Sequence, residues 1–352
     1  MNTSIKPGRV WLDADGKRIQ AHGGSLWYED GIFYWYGENK EFTTGKDDIW
    51  TWGIRYYSST DLYNWKDEGY LMQAEPNDEE SIFHPARRLD RPHIIRNEKT
   101  GKYVCWLKFS DKNYFAIVTA DRFAGPYQVE REFFQPYGRE CGDFDLAVDE
   151  ASGKAYLYVE CDHQEIISCQ LSGDYLDVSG EYKVHYSNLN PPLTREGTTH
   201  FTRNGKHYLF TSGMTGYVPN PSETAIAEDW QGPYTVQGNP HAKDESRSSY
   251  NSQISSVFKY PGKDLYIALA DRWVPEYVMT KEKYEALERV VSSQFDKNIQ
   301  VLPSDYQEIA DAPFLGSANT SISDYVWLPI RFEGDIAIIE WENEWRIAEK
   351  CK

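Results

Sequence analysis

The sequence is poor in several residues and patterns that mark common sites and compartments. Its 352 residues include five cysteines, and these have neither C-x-x-C nor zinc-ligand spacing. The odd number argues against a complete set of disulfides and favours a reducing compartment. No apolar run reaches transmembrane length, and residues 1–7 contain no apolar signal region. We therefore expect a cytoplasmic protein with no membrane partner, although a chain whose secretion leader had been removed would look the same.

Positive charge is also scarce. The chain has 37 Lys and Arg against 55 Asp and Glu, a formal net charge of −18. Binding to nucleic acid needs a basic stripe, and no Lys/Arg cluster stands out, so we expect no nucleic-acid partner. The sequence contains no phosphate-binding loop, dinucleotide fingerprint, serine nucleophile elbow or zinc-protease helix. Its eight histidines show no metal-ligand spacing. We therefore expect no cofactor and a neutral substrate.

Aromatic residues are plentiful, at 15% of the chain, and many of them fall in a recurring phrase. In each copy a Gly-led turn precedes an aromatic-rich strand, and copies return about every 50 to 70 residues, the period of four-stranded propeller blades. The copies begin at Gly31, Gly101, Gly153, Gly205, Gly262 and, less clearly, Gly334. This pattern predicts an all-β protein with the β-propeller fold, which forms a single domain over residues 1–352.

Two further elements follow from the sequence. Residues 280–291 have the apolar spacing of a helix, with Thr280 as the N-cap, and we expect this helix as an insertion at a propeller edge. The final strand, residues 335–341, is expected to pair with the first blade and close the ring.

Four carboxylates stand at a similar phase of the repeat, each just before or at the end of a predicted inner strand: Glu38, Asp90, Asp143 and Glu196. A single acid at such a place is usually a turn or cap residue. Four of them converging on one axial pit repel one another, which raises some of their pKa values and keeps a carboxyl group protonated for use as a general acid.

Several short segments together carry a family resemblance. The chain resembles glycoside hydrolase family 43, in the branch that contains exo-β-1,3-galactanases. The matching segments are residues 19–24, 34–38, 90–92, 102–106, 195–196, 208–217, 251–253 and 271–273. The resemblance spans about residues 10–345 and implies a five-bladed propeller that hydrolyses glycosides with inversion at the anomeric carbon.

The resemblance also implies catalytic roles. Glu196 matches the general acid, which protonates the departing glycosidic oxygen. Asp143 matches the aspartate that tunes the pKa of this acid and orients it; the alternative for Asp143 is an ordinary bulge or turn acid. We prefer Asp143 to Asp145, which we expect to point to the opposite strand face.

The general base is where the sequence departs from the wider family. Typical members carry an Asp-Pro dipeptide in the first blade, whereas residues 20–24 here contain no carboxylate. The galactanase branch shares this loss and uses a glutamine of a later blade, which Gln253 matches. Gln253 could orient water through its carbonyl oxygen or act as a base through its imidic-acid tautomer. His22 is an alternative base, or a residue that hydrogen-bonds a sugar hydroxyl or a buried carboxylate.

The resemblance further suggests a set of sugar-binding residues. Glu38, Asp90 and Thr215 are expected to bind hydroxyl groups of the terminal sugar. Asp90 is shorter than the glutamate usual in galactanases, which leaves the sugar preference open. Trp106 is a candidate stacking platform or a strand-core residue. Arg272 is expected to pair either with a central acid or in a structural salt bridge.

Together these features predict an exo-acting, inverting glycoside hydrolase. We expect it to release a terminal sugar, with β-galactose from β-1,3-galactan oligosaccharides as the first choice. The alternatives are a β-galactofuranosidase, an α-L-arabinofuranosidase or a β-xylosidase, or a sugar-binding propeller that has lost catalysis. The partner is a neutral oligosaccharide or glycan side chain. No catalytic metal is expected, and the sequence leaves open an ion on the propeller axis.

Overall fold

The chain forms five four-stranded antiparallel sheets, seen in a computed structural model that describes residues 1–313 and 318–351. Each sheet is built from consecutive strands. The strands are β1 (His22–Glu29), β2 (Ile32–Glu38), β3 (Ile54–Ser59), β4 (Lys66–Met72), β5 (Leu89–Asn97), β6 (Lys102–Phe109), β7 (Tyr114–Ala120), β8 (Gln128–Phe134), β9 (Cys141–Asp149), β10 (Lys154–Cys161), β11 (Glu165–Leu171), β12 (Val178–His185), β13 (Arg195–Arg203), β14 (Lys206–Gly213), β15 (Ser222–Ala227), β16 (Thr235–Gly238), β17 (Gln253–Lys259), β18 (Tyr266–Arg272), β19 (Asp324–Glu333) and β20 (Ile336–Ile339).

The first strand of each sheet faces the centre. Strands β1, β5, β9, β13 and β17 contact one another in a ring, while the later strands of each sheet lie progressively further out. A separate apolar core fills the space between each pair of neighbouring blades. This arrangement is the predicted five-bladed β-propeller, and it brings residues from all five blades to one axis.

The Gly-led phrase forms the hairpin turns between inner strands. Asp30 and Gly31 join β1 to β2 with φ of 51° and 84°, and Asn204 and Gly205 join β13 to β14 with φ of 53° and 76°. Two consecutive residues with positive φ make the turn whose twist matches that of the flanking strands. Aspartate, asparagine and glycine tolerate this conformation, which explains why the phrase recurs in the sequence.

The predicted ring closure is wrong. Strand β20 pairs with β19 as the outermost strand of the fifth blade, because Glu333 and Ile336 form a tight local hairpin. The first blade is completed by β1–β4 alone. The ring is instead fastened by the N-terminal segment, in which Ile5 pairs with Trp345 and Arg9 with Tyr325.

Every central strand is irregular near its start. Each has one extra residue relative to its partner strand, and the irregularities lie between His22 and Ser25, Asp90 and His93, Cys141 and Phe144, Glu196 and Thr199, and Ile254 and Ser256. Such β-bulges bend a strand and re-aim its side chains. Because all five lie at the same end of the axis, they shape one site.

Helices occupy small parts of the chain. The predicted helix is present as α1 (Lys281–Ser292), and the Thr280 hydroxyl accepts from the backbone N–H of Lys283 at 3.2 Å. It packs with α2 (Pro303–Glu308) in an insertion between β18 and β19, and α3 (Ile347–Lys350) follows the last strand. Within the described residues, no helix has the length and apolar character needed to cross a membrane.

Candidate active site

A cavity of about 290 Å³ opens at the end of the axis where the central strands begin. All five blades contribute side chains to its wall. They include Glu38 and Trp50 from the first blade, Asp90, Arg91 and Lys108 from the second, Asp143 and His163 from the third, Glu196 and Tyr217 from the fourth, and Gln253 and Trp273 from the fifth. The cavity therefore collects residues that lie more than 200 positions apart in the sequence.

Asp143 is an ionised carboxylate held by cations. Its Oδ1 lies 2.8 Å from Arg91 Nε and 3.1 Å from Lys108 Nζ, and its Oδ2 accepts from the backbone N–H of Gly197 at 3.0 Å. Burial alone would raise the pKa of Asp143, but the two cations outweigh it and hold the pKa well below its usual range.

Glu196 is the opposite case. Within the described residues no Lys or Arg forms an ion pair with it, and its Oε1 accepts only from Gln253 Nε2, at 3.2 Å. Burial and the neighbouring charge of Asp143 raise the pKa of Glu196 to about 8. At neutral pH Glu196 therefore carries a proton while Asp143, beside it, does not. This is the division of labour between two carboxyl groups that acid catalysis requires.

Glu38 lies at the bottom of the cavity and is 1% exposed. Its Oε2 is 2.7 Å from Lys40 Nζ, and its Oε1 accepts from the backbone N–H of Arg91 at 2.9 Å. Burial raises the pKa of Glu38 to about 7, although the Lys40 ammonium opposes this rise. Glu38 is thus placed to accept hydrogen bonds from a buried ligand.

Asp90 is held by two donors on the cavity wall. The indole N–H of Trp50 donates to one oxygen at 2.6 Å, and the Ser110 hydroxyl donates to the other at 2.7 Å. Trp50 also stacks against Tyr217, with ring centroids 6.1 Å apart, and Tyr217 lies 5.7 Å from Trp273. These three rings form an aromatic wall beside the acids.

The side-chain amide of Gln253 makes three hydrogen bonds. Its oxygen accepts from Arg91 Nη2 at 2.5 Å, and its nitrogen donates to Ser212 Oγ at 2.9 Å and to Glu196 at 3.2 Å. The structure therefore brings Glu196, Asp143 and Gln253 together, as the sequence predicts, together with Glu38 and Asp90.

Sequence reasoning missed the two cations that organise these acids, Arg91 and Lys108. Arg91 stands inside the Asp-Arg-Pro segment and has a left-handed backbone (φ of 44°), a strained conformation that often marks functional sites. Its position beside Asp90 was the available signal. Lys108 gave none, because it reads as an ordinary residue near the end of β6. The aromatic wall was also missed, although two of its rings lie in the segments that carry the resemblance.

His22 does not line the cavity, which corrects the expectation that it is a base or binds sugar. It is fully buried, with Nδ1 3.0 Å from Asp271 and Nε2 3.2 Å from the Tyr325 hydroxyl. Burial lowers the pKa of His22, although Asp271 opposes this. Both ring nitrogens are thus used inside the protein, and of the options considered for His22 only the buried carboxylate partner fits.

Of the two roles considered for Trp106 the structure shows the strand-core role, and the sugar-binding role expected for Thr215 needs correction. Trp106 is fully buried in the core between the second and third blades, and its indole N–H donates to the backbone oxygen of Tyr175 at 3.0 Å, so it cannot stack on a ligand. Thr215 is absent from the cavity wall. Its hydroxyl donates to the Val218 backbone at 3.1 Å and accepts from Asn220 at 2.6 Å, which stabilises the loop.

Arg272 meets neither of its two expectations. Its guanidinium donates to the backbone oxygens of Tyr250 at 2.8 Å and Asn251 at 3.3 Å, and it lies over the ring of Trp341. Among the described residues it forms no salt bridge with a central acid. Arg272 therefore fixes the segment that precedes Gln253 rather than the acids themselves.

Asp145 corrects the expected orientation on β9. It points towards the axis like Asp143, because both aspartates contact the neighbouring central strands β5 and β13. Its oxygens lie 2.9 Å from His93 Nδ1 and 2.6 Å from the backbone nitrogen of His200. The two aspartates thus differ in depth along the axis and not in the face they occupy.

Within residues 1–313 and 318–351, no three His, Cys, Asp or Glu side chains come together as metal ligands would.

A protonated carboxyl group beside an ionised one, at the mouth of a propeller, is the arrangement with which glycoside hydrolases cleave their substrates, and we assign the protein to that class. The model of glycosyl hydrolases family 43 matches residues 24–293, and the chain belongs to this family. A comparison with curated protein sequences finds no match.

Solved structures of the family share the whole fold. A family 43 β-1,3-galactosidase, BT0265, is 28% identical with a TM-score of 0.79; the match covers 99% of this chain and 64% of that one. A second β-1,3-galactosidase, BT3683, solved with galactodeoxynojirimycin, is 25% identical with a TM-score of 0.77, covering 97% of this chain and 100% of that one. An exo-β-1,3-galactanase from Phanerochaete chrysosporium is similar in fold at 22% identity and a TM-score of 0.77, covering 98% and 68%. The chain thus spans about two thirds of the length of two of these proteins.

Proposed function

We propose that the protein is an exo-acting, inverting glycoside hydrolase that removes terminal β-galactose from β-1,3-linked galactooligosaccharides. The observation that carries the proposal is the contrast between Glu196 and Asp143. These two carboxyl groups lie side by side, and their surroundings protonate one and ionise the other.

Glu196 serves as the general acid. Its proton passes to the glycosidic oxygen as the bond from that oxygen to the anomeric carbon breaks, and the leaving sugar departs with a free hydroxyl group. Asp143 keeps the proton on Glu196 until then, because its fixed negative charge disfavours ionisation of the neighbouring carboxyl group. Solvent restores the proton for the next cycle.

Gln253 serves to place the attacking water. The anomeric carbon has oxocarbenium character in the transition state, so neutral water suffices as the nucleophile. The proton of that water becomes strongly acidic only once the bond between its oxygen and the anomeric carbon has formed, and it then passes to solvent. Attack on the face opposite the departing oxygen inverts the configuration at the anomeric carbon.

The direct contact between Gln253 and Glu196 must open when substrate binds. Inverting enzymes separate their two groups by roughly 6.5–9.5 Å to admit the sugar and the water, whereas here the amide nitrogen lies 3.2 Å from Glu196. The hydrogen bonds of an unliganded catalytic site often differ from those of its substrate complex.

The terminal sugar is assigned to the bottom of the cavity. Glu38 there presents a buried carboxylate to the hydroxyl groups, and the aromatic wall of Trp50, Tyr217 and Trp273 offers a surface for the apolar face of the ring. Side chains from all five blades surround this cavity, so a sugar chain enters it by its end, which supports exo action. The proteins of 25% and 28% identity are described as β-1,3-galactosidases, which supports galactose as the sugar. Cytoplasmic location and independence of any cofactor stay predictions.

The test is hydrolysis of β-1,3-galactobiose and galactotriose, with the released sugar followed by NMR. The first product is expected to be α-galactose, since inversion of a β-linkage gives the α-anomer. A panel of aryl β-galactofuranoside, α-L-arabinofuranoside and β-xyloside decides among the other sugars of the family. Binding of β-1,3-galactobiose without hydrolysis, equal in the parent and in Glu196→Gln, would instead identify a sugar-binding propeller.

A further inference from the structure

Arg91 is fastened at three points to the groups around it. Its Nε contacts Asp143 at 2.8 Å, its Nη2 contacts the Gln253 oxygen at 2.5 Å, and its backbone N–H donates to Glu38 at 2.9 Å. The side chain is 6% exposed. These contacts leave the guanidinium a single position.

The guanidinium also determines which way the Gln253 amide faces. An amide can rotate by half a turn and exchange its oxygen and nitrogen with almost no change of shape. Arg91 has only hydrogen-bond donors, so it can face the oxygen but not the amide nitrogen. With the oxygen on Arg91, the amide nitrogen is left to Ser212 and Glu196, as observed.

We propose that Arg91 is the positioning residue of Gln253, which fixes the amide with its oxygen turned from Glu196 so that the second lone pair of this oxygen receives the attacking water. This inference rests on the role proposed for Gln253 above. The second terminal nitrogen, Arg91 Nη1, is buried and has no hydrogen-bond partner among the described residues, so the same guanidinium keeps a free donor.

The same contact decides between the two chemical forms considered for Gln253. The imidic-acid tautomer carries its extra proton on the oxygen, where the positively charged guanidinium already places a donor. Arg91 therefore stabilises the ordinary amide, and Gln253 acts by orienting water through its carbonyl oxygen.

Lys108 provides a matched control. Both Arg91 and Lys108 place a positive charge on Asp143, but only Arg91 contacts Gln253. A role confined to the charge of Asp143 predicts similar behaviour of the two residues, whereas positioning of Gln253 predicts an effect of Arg91 that depends on Gln253.

The experiment is a double-mutant cycle on an aryl β-galactoside, whose good leaving group keeps weak variants measurable. Arg91→Lys retains the charge but not the fork, and we expect about a 100-fold loss of kcat with a smaller change of KM, the size typical of a misplaced catalytic group. In the Gln253→Ala background we expect Arg91→Lys to cost no more than about threefold, because coupled residues are non-additive. Lys108→Ala should cost the same in both backgrounds. An equal loss from Arg91→Lys in both backgrounds would overturn the proposal.

A second readout does not depend on the substrate. In a crystal structure of Arg91→Lys, the Gln253 amide should leave its contact with Glu196; an unchanged contact would disprove positioning by Arg91. If the parent cleaves no galactoside, the function proposed above fails, and this structure still decides the role of Arg91. Should Arg91→Lys not fold, the Arg91 side-chain N–H signals of the parent are measured by NMR. They should shift and exchange faster in Gln253→Ala, and unchanged signals would count against the contact.

Discussion

Two aspartates on strand β9 contact the same two neighbouring strands, yet we expect one to act in catalysis and the other to stabilise the fold. Asp143 and Asp145 both point to the axis, and each connects β5 to β13 through one side-chain partner and one backbone N–H group. The side-chain partner is Arg91 for Asp143 and His93 for Asp145. The strand geometry alone therefore does not distinguish a site from a structural contact.

The difference lies in what stands beside each carboxylate. Asp143 faces a cavity and a second carboxyl group, Glu196, which forms no ion pair with a Lys or Arg of residues 1–313 and 318–351. Asp145 lies deeper, near His200, whose buried ring stacks on Tyr158 at 4.3 Å; burial holds the pKa of His200 well below its usual range. Asp143 therefore takes part in the proposed chemistry because its negative charge raises the pKa of the neighbouring Glu196.

The largest effect on activity is expected from removing the proposed general acid, Glu196, which lies beside Asp143. Glu196→Gln keeps the shape but cannot donate a proton to an alkoxide, so hydrolysis of β-1,3-galactobiose should fall by about 10²–10⁴-fold, the usual contribution of general acid catalysis. Thermal unfolding should show a higher Tm, because a buried group that is costly to ionise is gone. Unchanged turnover of the disaccharide would remove Glu196 from the mechanism.

Asp143→Asn should reduce kcat by about 10²-fold and move the pH profile. Without the negative charge, Arg91 and Lys108 lower the pKa of Glu196, so activity should be lost at a lower pH than in the parent. Lys108→Ala is the matched control, since loss of a positive charge should move the same limb to higher pH. A profile that stays in place in both variants would mean that Asp143 does not tune Glu196.

The pH dependence of the parent tests the same pair without mutation. Glu196 is protonated below its raised pKa of about 8, so kcat/KM on the disaccharide should be retained below that pH and fall about tenfold per unit above it. An aryl galactoside with a good leaving group should show a much shallower fall, because its departure needs little acid assistance. The same steep fall for both substrates would place the titration elsewhere.

The smallest effect on activity is expected from a change at Asp145, the deeper of the two aspartates. Asp145→Asn keeps an oxygen acceptor and the shape of the side chain, so kcat should change by no more than about threefold. It weakens the hydrogen bonds to the His93 side chain and to the His200 backbone, because a neutral oxygen replaces a carboxylate oxygen, and this should reduce the free energy of unfolding by about 1–3 kcal/mol. Urea unfolding measures this loss. A drop in kcat as large as that of Asp143→Asn would mean that Asp145 also takes part in catalysis.

The fold could be predicted from the sequence because each blade is formed by strands that are consecutive in the chain. Turns such as Asp30-Gly31 and Asn204-Gly205 and the aromatic strands after them specify hairpins between neighbouring segments. Ring closure involves residues at opposite ends of the chain. The Gly-led turn at Gly334 was the local signal that residues 335–341 pair within their own blade.

The site could be predicted only in part, for a physical reason. Asp90, Asp143, Glu196 and Gln253 lie near the start of the central strand of their blades and Glu38 lies at the end of β2, so the repeat places all five at one end of the axis. His22 stands at the start of the central strand β1, where the bulge alters the alternation by which a face is assigned. Trp106 stands on β6, the second strand of its blade, and its side chain lies in the core between two blades. The roles of Arg91 and Lys108 could not be predicted, because they depend on contacts with Asp143, which is distant in the sequence.

The way the ring is fastened has a consequence for how the protein folds. Every sheet consists of hairpins between consecutive strands, which form from contacts close in sequence. The pairs Ile5 with Trp345 and Arg9 with Tyr325 require closure of a loop of more than 300 residues. We therefore expect blades to form early and the seam between the first and fifth blades to close last, so that residues 5–9 act as a latch on an assembled ring.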